Sequence, residues 1–164
     1  MAVDVNSIKT QFKTIMDNWN DTGSAYDLST GMSQRVRKVL KVNPLKIPVQ
    51  SSNFPYVTIY LADKAITQDG IARDQKTARR LGEIGLNIVG SVWEQNGITA
   101  EVDPADEQIE ILMENVEEVL RRNFNLNGSV DWTKPVKTSY HTYPTNQGAH
   151  LRVGLFEVIA KVNY

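Results

Sequence analysis

His141 and His150 are the only two imidazoles in the chain, and there is no cysteine. Any thiolate nucleophile, Cys-based zinc site or disulfide framework is therefore excluded. The histidines lie nine residues apart, with Asp131 as a conceivable third metal ligand, and nothing in that spacing brings three donors together. Asp103 and Asp106 could pass for a catalytic carboxylate pair. Their position at the start of a helix already explains them, because carboxylates there accept backbone N–H bonds and face the positive end of the dipole. Ser139 and His141 lack an orienting acid at a meaningful spacing. Trp132, Tyr140 and Tyr143 could form a platform for a sugar or base, but rim packing accounts for them more simply. No Gly-rich phosphate loop, GxSxG elbow, HExxH or EF-hand pattern occurs. The expectation is a protein with no catalytic residues, no cofactor and no metal.

Charge is more informative. The net charge is −1, yet residues 1–82 carry 12 Lys/Arg against 7 Asp/Glu, and residues 83–164 carry 6 against 12. A chain basic in one half and acidic in the other can meet copies of itself head to tail, unless folding mixes the two halves. Arg35, Arg37, Lys38, Lys41 and Lys46 form a basic stretch. Nucleic-acid binding is the sharper reading of it, but interleaved aromatics and a recognisable motif are missing. A solvated or partner-facing strand is the plainer one. The hydrophobic fraction of 41% and charged fraction of 23% are those of a soluble globular protein. No segment has the length of a membrane span, and no signal peptide opens the chain. One domain over residues 1–164 is expected.

These side chains must be positioned by a few clear elements. Asp103 to Phe124 is the strongest helix. Pro104 follows a capping Asp103, and Ile109, Leu112, Met113, Val116, Val119 and Leu120 make one apolar stripe. Glu117 with Arg121 and Glu118 with Arg122 are spaced as i,i+4 pairs. Its acidic outer face is either solvated or meets a partner. Ser7 to Trp19 reads as a first helix capped by Asn6 or Ser7, with Ile8, Phe12, Ile15, Met16 and Trp19 inward. Asn20 to Gly31 is a loop.

Met32 to Val42 fits a helix through Met32, Val36, Val39 and Leu40, or a strand through Val36, Leu40 and Val42. Tyr56 to Leu61 is a strand. Ala62 to Arg80 is polar and basic, either a long functional loop or a hairpin whose arms extend the flanking strands. Leu81 to Glu94 alternates Ile84, Leu86, Ile88, Gly90 and Val92 on one face and should pair antiparallel with Tyr56–Leu61. Gly82, Gly85 and Gly90 suggest bulges or close backbone approach. Val130 to Tyr143 reads as irregular with an edge strand near Val136–Tyr143. Leu151 to Val162 is a central strand, apolar on both sides. The fold class is α+β: a mainly antiparallel twisted sheet of about four to five strands, with a long helix packed on one face and an N-terminal helix.

In order, VRKVLKVNPL, FPYVTIYL, a basic polar loop, LGEIGLNIVGSVWE, DPADEQIEILMENVEEVL and a closing LFEVIAKVNY resemble the tail terminator (tail-completion) proteins of long-tailed bacteriophages, the lambda-type minor tail proteins. The resemblance covers most of the chain by order of elements. It favours a strand for Arg35–Val42. It implies a virion protein, assembled in the host cytoplasm, that forms a homo-hexameric ring at the head-proximal end of the tail. Its implied partners are the tail tube protein, neck or connector proteins and, in tails that have one, the sheath protein. No membrane is involved, and DNA only passes through the lumen. The family brings no catalytic residue.

Length, charge and lack of apolar residues make the Ala62–Arg80 segment the expected contact between rings or subunits, through Thr67, Asp69, Arg73, Lys76, Arg79 and Arg80, with Arg35 and Arg37 beside them. The alternatives are another neck or head–tail connector adaptor, contacting DNA through Arg35–Lys46, and a small enzyme whose site is assembled from distant residues.

Overall fold

Apolar spacing decides where the helices lie. The computed structural model describes residues 4–20, 22–68, 80–94, 104–144 and 150–163. Helix α1 spans Val5–Asn18 and buries Ile8, Phe12, Ile15 and Met16, with Trp19 packed at its end. Its cap is Asp4, not Asn6 or Ser7. The Asp4 carboxylate accepts the N–H groups of Asn6 (3.0 Å) and Ser7 (3.1 Å), so those two residues already lie inside the first turn. The segment after α1 is a loop built on buried Asp27, which accepts from Thr22 and from the Ser29 N–H (2.8 Å).

Helix α2 spans Pro104–Arg122, and all six residues of the expected stripe are buried. Burying each is worth about 1.5–3 kcal/mol, so this stripe fixes the helix on the sheet. At its end, Arg121 bonds Glu118 rather than Glu117, and Glu118 holds Arg122 as well. The expected Glu117–Arg121 pair is replaced because one carboxylate reaches both guanidinium groups at i+3 and i+4. The cap expected at Asp103 lies outside the described residues.

Five strands form one sheet in the order β1-β2-β3-β5-β4: β1 Lys38–Leu40, β2 Tyr56–Gln68, β3 Arg80–Glu94, β4 Trp132–Pro144 and β5 His150–Asn163. β1 runs parallel to β2, and the remaining neighbours are antiparallel. The sheet is therefore mixed, and the class is α+β with both helices on one face. Two expectations shift, and one open alternative is decided. The first strand is only three residues long, and Val36 and Val39 are the buried pair, while Val42 is exposed. Of the two readings of Ala62–Arg80, the hairpin holds for the described residues, with 62–68 and 80 extending β2 and β3 as its arms. The Trp132–Pro144 segment is a regular edge strand, interrupted by one bulge between Pro135 and Lys137. Proline is tolerated there because an edge strand leaves one row of N–H groups unpaired.

Ile84, Leu86, Ile88 and Val92 of β3 and Phe156, Val158 and Ala160 of β5 point to the helices and form the core with α1 and α2. α2 packs on β3 and β5, and α1 packs on β1 and β2. β4 extends beyond this helix layer. On the opposite face, two 3-10 turns (Pro44–Lys46 and Ser51–Asn53) lead into a second cluster of Phe54, Tyr56 and Trp93, with Ile47 and Leu151 against it.

Candidate functional site

The residues expected to share a contact surface fall in two distant places. Thr67 pairs with Leu81 and Gln68 pairs with Arg80 at the far end of the β2–β3 hairpin. The Arg37 N–H donates to the Pro55 carbonyl at 2.8 Å, beside the start of β2. Eleven strand residues separate the two ends, about 36 Å at ~3.3 Å per residue. Arg35 lies with Asp27 and Thr30 in a depression by the first loop. Arg35 and Arg37 therefore do not join the hairpin tip in one patch. Asp69, Arg73, Lys76 and Arg79 lie outside the described residues, as do Asn146–Gly148.

The hairpin itself is formed by main-chain pairing. β2 is exposed from Leu61 to Ile66, yet its ladder with β3 continues to Gln68. The register shifts between Leu61 and Asp63. Gly85 lies opposite this bulge, where a Cβ would fall 2.0 Å from the Asp63 Oδ1. This is the close approach that the glycines of β3 suggest.

The candidate chemistry does not assemble. Asp131 accepts the Asn163 N–H (2.7 Å) and its side-chain amide (2.8 Å). His141 lies opposite Val153, ten residues further along the chain and about 30 Å from Asp131 in extended backbone. Among the described residues no group of three or more His, Asp or Glu is placed to hold a metal ion. Asp106 pairs with Arg152 at 2.8 Å. A shallow groove of about 290 Å³ lies between Asp63, Glu83, Gly85, Asn87, Val136 and Ile159. Of its nearby carboxylates, Glu83 pairs with Lys161 (2.8 Å) and Glu157 with Lys137 (3.5 Å).

The aromatic trio separates too. Trp132 lies on the open face beneath Lys161, whose Nζ is 4.8 Å from the ring centre. Tyr143 pairs with Leu151 on that same face, while Tyr140 pairs with Gly154 on the helix side. Burial raises the Tyr140 phenol pKa, and the carboxylates of Glu110, Glu114 and Glu117 raise it further. Those three carboxylates lie on the exposed side of α2.

The described surface is thus one of edges and projecting apolar groups. Leu45 is 93% exposed and Val49 61% on the β1 side; Val136 is 51% and Tyr140 47% exposed on the β4 side. Leu45, Val49 and Val136 carry no periodic signal that singles them out in the sequence. The only cue is the bracketing of Leu45 by Pro44 and Pro48, which denies it a regular element to be buried in.

The fold and surface define an α+β protein with a five-stranded mixed sheet, helices on one face, and two unlike edges. No described helix is long and apolar enough to cross a membrane. No protein-family model matches the sequence, and no curated protein matches it. Among solved structures, the chain is similar to one described as the virion of native gene transfer agent (GTA) particle. That similarity spans 91% of this chain and 93% of the other, at 7% identity and a TM-score of 0.29. At that TM-score it carries no argument about function.

Proposed function

We propose that this chain is a structural virion protein, without catalytic activity, that assembles into a hexameric ring on the head-proximal end of a phage tail tube. There it ends tube polymerisation and offers the joint to the neck. The observation that carries the reading is the β2–β3 arm. Both strands continue as a paired ladder where β2 is exposed, through Leu61–Ile66, toward the basic 69–79 segment. An exposed, paired and charged arm is suited to contact with another subunit or ring. The order of sequence motifs adds the tail terminator class to this physical argument.

The test uses the purified protein and tail-tube protein from the same virion. Light scattering and negative-stain images are expected to give closed rings, alone or once tubes are added, and capped tubes of limited length. Deletion of Thr67 to Lys76 is expected to leave a folded protein that no longer joins tubes. Tubes that elongate unchanged in the presence of wild-type protein would overturn the reading. A deletion variant that caps normally would remove the arm from it.

A further inference from the structure

We propose that the second half of β4, Thr138 to Tyr143, receives an added strand from a partner protein, an extended segment with lysine or arginine at alternate positions. This goes beyond the ring reading and does not depend on it. It names a pairing edge and the chemistry of what pairs there.

The two edges of the sheet are finished differently. β1 is three residues long, and the chain then turns its main-chain groups to a side chain. The Val42 N–H donates to the Thr58 hydroxyl (3.2 Å), which donates in turn to the Val42 carbonyl (2.6 Å). β4 is thirteen residues long and has β5 as its one neighbour among the described residues. Its first half carries devices that discourage strand pairing: Lys134, Pro135, a bulge and Lys137. Its second half carries none of them. Thr138 to Tyr143 contains no lysine, arginine, carboxylate or proline, and its ladder is unbroken from Thr138 opposite Phe156 to Tyr143 opposite Leu151. Threonine and tyrosine suit extended backbone. The side chains from Tyr140 to Tyr143 are exposed. An edge strand of this kind presents a row of unpaired N–H and C=O groups.

The neighbouring helix sets the chemistry of the partner. Gln108 and Asn115 bond the 28–33 loop on one side of α2. Glu110, Glu114 and Glu117 fall at i, i+4 and i+7 on the other side, with Asp106, which reaches Arg152 of β5 opposite Thr142. The stripe therefore overlooks the β5–β4 side of the sheet. Thr138, Tyr140 and Thr142 share the helix face with it, because they lie opposite Phe156, Gly154 and Arg152. All three glutamates act on the Tyr140 phenol. The nearby cations are committed: Arg152 to Asp106, and Arg121 and Arg122 to Glu118. Lys134 and Lys137 lie on the opposite face, where Lys137 meets Glu157.

A strand added along Thr138–Tyr143 sets alternate side chains beside three exposed carboxylates that have no ion pair among the described residues. Lysine or arginine fits those positions. The intervening side chains meet Ser139, His141 and Tyr143, none of them acidic. Main-chain bonds would supply affinity and the alternation would supply selectivity. A second copy pairing antiparallel through the same half would continue the sheet with both helix layers on one side. That would bring two acidic stripes together, which disfavours it.

The probe is a short synthetic peptide alternating lysine and threonine, offered to the full-length protein at low salt. Anisotropy of the labelled peptide is expected to show binding, and amide hydrogen exchange should slow over 138–143 more than over 132–136. A peptide with glutamate in place of lysine should bind at least about tenfold more weakly. The Glu110→Gln, Glu114→Gln, Glu117→Gln variant, shown to be folded by circular dichroism, should lose about the same factor for the lysine peptide. Two further peptides are methylated on alternate backbone nitrogens, at the lysines in one and at the threonines in the other. Both keep their charge, and one should lose binding because its donors toward β4 are gone. Lysine and glutamate peptides that bind alike, or a lysine peptide that does not bind, would overturn the inference. Full binding by both methylated peptides would reduce the contact to charge alone and overturn it as well. Protection of 138–143 by self-assembly, with the peptide unable to compete, would make the occupant a second copy and overturn it while leaving the ring standing.

Discussion

Gly90 and Gly154 face each other across the β3–β5 ladder, and the Met113 side chain of α2 lies over both. A Cβ on Gly154 would fall 2.4 Å from the Met113 Cγ, and one on Gly90 would fall 2.6 Å from its Sδ. The two glycines thus form a flat patch in which one long side chain lies against the sheet backbone. Gly154→Ala is expected to destabilise the protein by about 1–3 kcal/mol, because Cγ is held near the helix and cannot swing aside as a chain end can. Met113→Ala alone should cost about 2–5 kcal/mol through the cavity it opens. In that background Gly154→Ala should cost markedly less, since the added methyl enters the vacated space. Denaturant titration of the four proteins tests this, and strictly additive losses would contradict the packing.

Gln108 and Asn115 tie α2 to the loop that follows α1. Gln108 Oε1 accepts the Ser33 N–H at 2.7 Å, and Asn115 Nδ2 donates to the carbonyls of Leu28 (3.0 Å) and Thr30 (2.9 Å). Leu28 is fully buried, so its carbonyl has little access to water if the amide is removed. Asn115→Leu is expected to cost about 1–3 kcal/mol. Amide hydrogen exchange should quicken in residues 22–33 more than in β3. Uniform exchange behaviour would show that the loop does not depend on this side chain.

The helices and central strands were legible because burial wrote them into the sequence. Ile109 to Leu120 repeats at three and four residues, and Ile84 to Val92 alternates, each pattern having one core to face. β4 reads as irregular because it is an edge, with Pro135, a bulge and few buried side chains to impose alternation. The 62–68 arm stays open between loop and hairpin in the sequence for the same reason, since main-chain bonds to β3 form it and no apolar face announces it. Which strands become the sheet edges depends on strand order. That β5 inserts between β3 and β4 follows from long-range pairing that no local pattern encodes. The charge asymmetry was visible, but its geometry was not.

Glu118 should make stability depend on pH at the end of α2. Hydrogen bonds from Arg121 and then Arg122 hold its carboxyl down to about 2, against an ordinary 4.5. A carboxyl depressed in the folded state contributes its full stabilisation above the unfolded value and loses it as pH falls through the folded one. The pair is solvent-exposed, so the effect is small and salt-sensitive. The difference in denaturation midpoint between wild type and Glu118→Gln should be constant above about 5, shrink from there to about 2, and vanish below. A difference independent of pH across that window would show that the bonded carboxylate contributes nothing.

Tyr140 reports on the acidic flank directly. Burial is the first cause of its raised pKa, followed by Glu110, Glu114 and Glu117. Replacing those three carboxylates by glutamine removes only the charge contribution. The Tyr140 midpoint should therefore move down toward the ordinary 10.0 without reaching it. The folded state keeps this phenol protonated where the unfolded state releases its proton, so the wild type loses stability as pH rises past the ordinary value, and the triple variant should lose less. Phenolate absorbance of each protein, taken as the difference from its own Tyr140→Phe counterpart, isolates this residue from the other tyrosines. An unchanged midpoint would mean that the α2 carboxylates exert no field at this phenol.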